Sequence, residues 1–294
     1  MKAKAKADKL VFKIMQLIKS DDFSTAQFHL KSLKRIEENT ERVYRLEGIF
    51  CLVKDNLSEA EKHLEKALNL NPDNVSTLNN LGLIALKNNQ FDRAIYFFKK
   101  VLKKDPNNYV ALELLTYIQI LSQQYKKALE NIKKIRKLRP LYPTVNAWEA
   151  VVYMKLEDYN AAFKAIDRNL KLDPNNVNTF LLIGEIFNKL ERYDDAVLAY
   201  EQAVSLDPNN DNKVSLALSY GYAGLFNKAE PVLLDVLEKD NKHPTALYGL
   251  SLIYNLFGES EKANNYYQRA ADLGYEPSKE IGKINLAYSL TIDL

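Results

Sequence analysis

The chain has 294 residues, with 41 Lys/Arg against 38 Asp/Glu (net +3) and 47% apolar residues. That balance is ordinary for a folded helical protein and too near neutral to demand a polyanionic partner by itself. A single cysteine, Cys51, excludes an internal disulfide; no window approaches 18 uninterrupted apolar residues, so no membrane span is expected, and a reducing cytoplasm is the expected compartment.

The chain opens with basic residues and then an apolar run, but Lys13 and Lys19 interrupt that run and no small-residue cleavage site follows. This predicts a first helix rather than a signal peptide. From Ala7 to Thr40 the apolar skeleton is Leu10, Ile14, Leu17, Phe23, Ala26, Leu30, Leu33 and Ile36. The pattern then recurs. Gly48, Ala60, Leu64 and Pro72 are followed by Gly82, Ala94, Phe98 and Pro106. Thr116, Ala128, Ile132 and Pro140 come next, then Ala150, Tyr153, Ala162, Ile166 and Pro174. The stretch Val177 to Pro208 shows it most clearly. Phe180, Ile183-Gly184 and Phe187 form one helical stripe, and Tyr193, Ala196, Tyr200, Ala203 and Leu206 form a second. Pro208 cannot continue that second helix, and Asn209-Asn210 can cap the next. A seventh period is irregular, with Gly221 in its first helix and Pro231 expected at the edge of the first turn of its second. The eighth recovers Leu247, Leu250, Tyr254, Ala263, Tyr267 and Ala270.

Periods starting near 7, 41, 75, 109, 143 and 177, then 210 and 244, resemble the tetratricopeptide (TPR) repeat: an aromatic, Leu-Gly, Tyr, Ala, Phe and Pro over about 34 residues. The resemblance covers nearly the whole chain. It implies an all-α fold, a right-handed superhelical solenoid of antiparallel helix pairs, with residues 1–294 forming one array. A capping helix is expected at 278–290. No hairpin of this size can offset the entropy of ordering its own chain, so each must bury its outer stripe on the next. First helices would line an inner, concave wall, and the family's usual role there is to hold a segment of another protein.

Residues of the first helices not used by the core stripe would form that wall. They include Ile49, Asn79, Leu83, Leu86, Glu113, Tyr117 and Ile120, then Trp148, Val151, Met154, Leu181, Glu185 and Asn188. The set is apolar for a wet surface. Two readings stay open: burial against neighbouring helices in a tight superhelix, or a groove for a partner's apolar peptide or helix, anchored by Tyr117 and Trp148. The two-carboxylate clamp of chaperone-binding relatives is missing: Arg45 and Asn80 could stand for two of its residues, but Ile49, Val110 and Leu114 occupy the others.

Charge is uneven. Between Lys99 and Arg139, eleven Lys/Arg face three Asp/Glu, a local +8, while the remainder is −5. Lys99, Lys100, Lys103, Lys104, Lys126, Lys127, Lys133, Lys134 and Lys137 are expected on second helices, as a solvated face or a docking patch. Aromatic interleaving is missing, which weighs against nucleic acid. His29, His63 and His243 have no second ligand at helical spacing, so neither a metal nor a cofactor is expected. No phosphate loop or nucleophile elbow is present, and the repeat consumes nearly every residue, which argues against an enzyme. The expected function is a protein-binding scaffold or adaptor. The alternatives are a self-assembling structural scaffold of a bacterial organelle or appendage, with residues 7–18 or the last helix as the inserted piece, or electrostatic docking through 99–139.

Overall fold

The computed structural model describes residues 2–275; the capping helix expected at 278–290 lies outside them. The described chain groups into two compact units, the first running to Pro140 and the second starting at Leu141. The first holds α1 (Lys2–Lys19), α2 (Phe23–Ile36), α3 (Glu41–Val53), α4 (Leu57–Leu70), α5 (Val75–Lys87), α6 (Phe91–Lys104), α7 (Tyr109–Leu121) and α8 (Tyr125–Leu138). The second holds α9 (Pro143–Lys155), α10 (Tyr159–Leu172), α11 (Val177–Lys189), α12 (Tyr193–Leu206), α13 (Asn210–Tyr222), α14 (Phe226–Lys239), α15 (Pro244–Leu256) and α16 (Ser260–Asp272). No strand occurs among the described residues. Within each unit, consecutive helices pair as hairpins, and each hairpin packs on the next.

Local chemistry explains the regularity of the elements. Asn56, Asn74, Asn108, Asn176 and Asn209 cap helix starts, each accepting from the backbone N–H three residues on. Inside the hairpins the chain reverses through one residue in the left-handed region. That residue is Asp21, Asp55, Asn89, Gln123, Glu157 and Glu191 in successive hairpins, then Gly224 and Gly258. The last two hairpins thus use the residue that adopts positive φ without penalty.

Two expectations shift. α1 begins at Lys2 rather than near residue 7. Pro231 is the sixth residue of α14, past the first turn. Its missing N–H would have served the carbonyl of Asn227, a residue on the exposed side of the helix.

The hairpins close through a fixed pairing, sixteen residues apart, between a position on the first helix and one on the second. A Cβ placed on Gly82 would lie 2.4 Å from the Phe98 ring, and one on Gly184 would lie 2.6 Å from the Tyr200 ring. The aromatics therefore sit directly on backbone. In the neighbouring hairpins the register positions carry Thr116 with Ile132 and Ala150 with Ile166, all buried. Where the second helix supplies an aromatic, the first supplies no side chain; where it supplies isoleucine, the first carries a small one. This is volume conservation in a close-packed core. Gly82→Ala should therefore cost about 1–3 kcal/mol in chemical denaturation through overpacking. Adding Phe98→Ile should recover part of that loss, because Ala over Ile is the native pairing at 150 and 166. A Gly82→Ala variant as stable as the parent would contradict the close crossing.

Candidate interaction surfaces

In the first unit the inner-wall set sits on the first helices of the hairpins, with Ile49 on α3, Asn79, Leu83 and Leu86 on α5, and Glu113, Tyr117 and Ile120 on α7. All but Tyr117 are at most 5% exposed. These residues do not present free surface, as an open groove would require; they are packed. Burial along two of these helices is almost continuous. α5 is buried at every position from Thr77 to Leu86, and α7 from Val110 to Thr116 and again from Ile118 to Ile120. Both are apolar around most of their circumference rather than along one stripe.

The polar members of the set are held by structural bonds. Asn79 donates from Nδ2 to Oδ1 of Asn108 at 3.1 Å, and Asn108 caps α7 through the N–H of Ala111 at 3.0 Å. Asn79 thereby ties one hairpin to the next. Thr116 donates back to the carbonyl of Leu112, and Asn131 on α8 donates to Gln119 on α7. Arg45 is engaged by Glu41 one turn away, and Asn80, Val110 and Leu114 are buried, so no clamp for two carboxylates forms. α1 packs as a first helix through Ala7, Ile14 and Ile18, while Phe12 on its other side stays exposed.

In the second unit, Trp148, Val151 and Met154 on α9 are likewise buried, and Trp148 is among the largest fully enclosed side chains. Trp148 is thus a packing residue in this state rather than an exposed anchor. Leu181, Glu185 and Asn188 on α11 keep partial solvent contact. Burial pushes the Glu185 carboxyl above its ordinary range, against the pull of Lys155 and Lys189, and the same carboxylate acts on the buried Tyr200 phenol, itself pushed up by burial. Hairpins are also tied by tyrosines: the Tyr220 hydroxyl donates to Glu201, and that of Tyr254 to Glu230, both at 2.7 Å.

The basic residues fall where the periodicity put them, on α6 and α8, and all nine lysines are exposed. Lys104 pairs with Asp73 at 2.7 Å and Lys100 lies over the Tyr96 ring. Lys126, Lys127, Lys133, Lys134 and Lys137 run along one second helix.

The histidines have structural work that spacing did not reveal. His243 caps α15, its Nδ1 accepting from the N–H of Ala246, while Nε2 faces Asp211 at 3.1 Å. His63 and Lys34 both meet Glu47, joining α2, α3 and α4. Cys51 is partly buried, and burial raises its thiol, which leaves it a poor nucleophile. Among the described residues no group of His, Cys, Asp or Glu could hold a metal ion, and no helix is long and apolar enough to cross a membrane.

Glu185 yields a pH test. A carboxyl whose folded-state pKa is raised opposes folding once pH exceeds its unfolded value, and the penalty is complete above the folded value. Glu185→Gln should therefore raise the Tm at pH 7.5, and the gain should shrink toward nothing near pH 4, around the ordinary glutamate range. An increment that does not change with pH would contradict the desolvation account.

A family model described as "Tetratricopeptide repeat" matches residues 75–108, a second with the same description matches 214–275, and one described as "Psidin, N-terminal TPR repeats region" matches 115–217. Among solved structures, the chain is similar to a tetratricopeptide repeat protein from Parabacteroides merdae, with a TM-score of 0.69 at 20% identity over 83% of this chain and 98% of that one. It is also similar to pilF of Pseudomonas aeruginosa, with a TM-score of 0.63 at 17% identity over 72% of this chain and 96% of that one. Yeast Tom70 matches with a TM-score of 0.63 at 19% identity over 89% of this chain, which spans 57% of Tom70. At these identities the likeness is one of fold. No curated protein matches the sequence.

Proposed function

Because the chain belongs to the tetratricopeptide repeat family, we propose that it is a non-catalytic scaffold or adaptor that holds an apolar peptide or helix of a protein partner against the first helices of its hairpins. The observation that carries this reading is the composition of α5 and α7. An interior first helix can afford a polar inner strip, as α11 does with Glu185 and Asn188, yet α5 and α7 carry Leu83, Leu86, Tyr117 and Ile120 on theirs. Apolar side chains on that strip are chemistry for another apolar segment. Tyr117 is the aromatic of the strip that keeps solvent contact; in the second unit, Leu181 on α11 is a partly open apolar side chain. The family in general acts as a scaffold, and nearly all of this chain is spent on the repeat, leaving no segment for a catalytic apparatus. Affinity purification from the native cell tests the reading. Tyr117→Ser with Leu181→Ser should lose the partner recovered by the parent, with helicity unchanged by circular dichroism. Undiminished recovery would end the proposal.

The lysines of α6 and α8 favour a second, compatible use: long-range attraction of an acidic partner to the outer face. Five of these lysines lie within α8, at positions 126, 127, 133, 134 and 137, where Glu130 is the one acidic residue of the helix and leaves the field positive. Polyglutamate binding should then weaken by about tenfold or more between low and physiological salt, and Lys126→Glu with Lys133→Glu should abolish it. Salt-independent binding would rule this use out.

A further inference from the structure

The burial of α5 goes further than hairpin stacking requires. Successive residues of a helix point about 100° apart, so ten consecutive buried positions, Thr77 to Leu86, leave no direction open to water. Two other first helices are controls, since each is flanked within its own unit by a hairpin on either side, as α5 is. The repeat positions of Asn79, Leu83 and Leu86 carry Leu181, Glu185 and Asn188 on α11, all partly open, and Val214, Leu218 and Gly221 on α13, the last two partly open. On α3 the same positions carry Arg45, which keeps solvent contact, and Ile49 and Leu52, which are as buried as Leu83 and Leu86. On α11 and α13, therefore, stacking leaves this strip of a first helix partly wet. On α5 that strip is Asn79, Leu83 and Leu86, and it is dry. The strip continues on α7 as Glu113 and Ile120, which are also buried.

We propose that this strip is the docking site of the chain's own C-terminal segment, residues 276–294. The proposal rests on the reading of the inner strip as a peptide-binding surface and names its resident occupant. The segment's sequence suits the role. From Ile284 to Leu294 every second residue is apolar (Ile284, Leu286, Tyr288, Leu290, Ile292 and Leu294), while Lys279 and Lys283 precede that run. The apolar side chains match Leu83, Leu86 and Ile120. Nineteen residues can extend about 60 Å, enough to cross several hairpins. A tethered segment acts at an effective concentration near the millimolar range, so an external partner must displace it.

Hydrogen exchange on the full-length protein tests this. Ile284→Asp with Tyr288→Asp should speed exchange across 77–86 and 110–120 by about tenfold or more, with α11 and α13 unaffected. A synthetic peptide of residues 276–294, added to that variant, should restore protection saturably, and the unmutated protein should bind the peptide at least about tenfold more weakly. Unchanged exchange in the variant would overturn the proposal. So would a uniform rise across all helices, which would make the segment a general stabiliser rather than a ligand of this strip. The outcome is independent of partner recovery with Tyr117→Ser and Leu181→Ser: the strip can hold its own tail whether or not it also holds another protein.

Discussion

A helical hairpin of this size cannot hold itself together, and that shortfall shapes the whole molecule. Each pair of helices buries one stripe between its members and must bury another on the next pair. The requirement explains why apolar residues occur on two sides of almost every first helix. It explains why Asn79 reaches across to Asn108, and why Tyr220 and Tyr254 bond glutamates of the preceding helix. Polar atoms that would be costly to bury alone are joined in pairs across the seams, so the same contacts that add stability also fix the register of one hairpin on another.

Much of the fold could be read from the residues because two features repeat at one spacing: an apolar 3–4 stripe, and a small residue facing a large one. The helix starts at 41, 75, 109, 143, 177, 210 and 244 follow from that period, down to the single residue lost before 210. Less visible were devices with no strong signature. The left-handed residue in each turn is Asp, Asn, Gln or Glu in six hairpins, and only the glycines of the last two announce it. His243 as a helix cap was equally hidden, because histidine is a rare substitute for the usual asparagine. Pro231 was legible as a disturbance but not as an interior position, because the helix starts five residues before it.

The candidate surface was legible in membership and not in exposure. Sequence periodicity says which residues of a first helix turn away from its partner helix; it does not say whether water reaches them. Leu83, Val151 and Trp148 are buried, whereas Tyr117, Leu181, Glu185 and Asn188 keep solvent contact, and nothing in a heptad-like pattern separates the two groups. What separates them is the company they keep. α5 and α7 are apolar around their circumference, and a helix of that kind is stable only when covered. α11 carries Glu185 and Asn188 on the same strip and stays wet. The lysines of α6 and α8 were placed correctly because second helices show one face to solvent whatever covers the other.

Interdependence of the hairpins is the claim on which the rest stands, and the isolated hairpin tests it most directly. A peptide of residues 177–208, containing the most regular repeat, should show little helix by circular dichroism in water and no cooperative thermal transition. A peptide that is mostly helical and melts cooperatively on its own would show that the hairpins do not need one another, and would contradict the account.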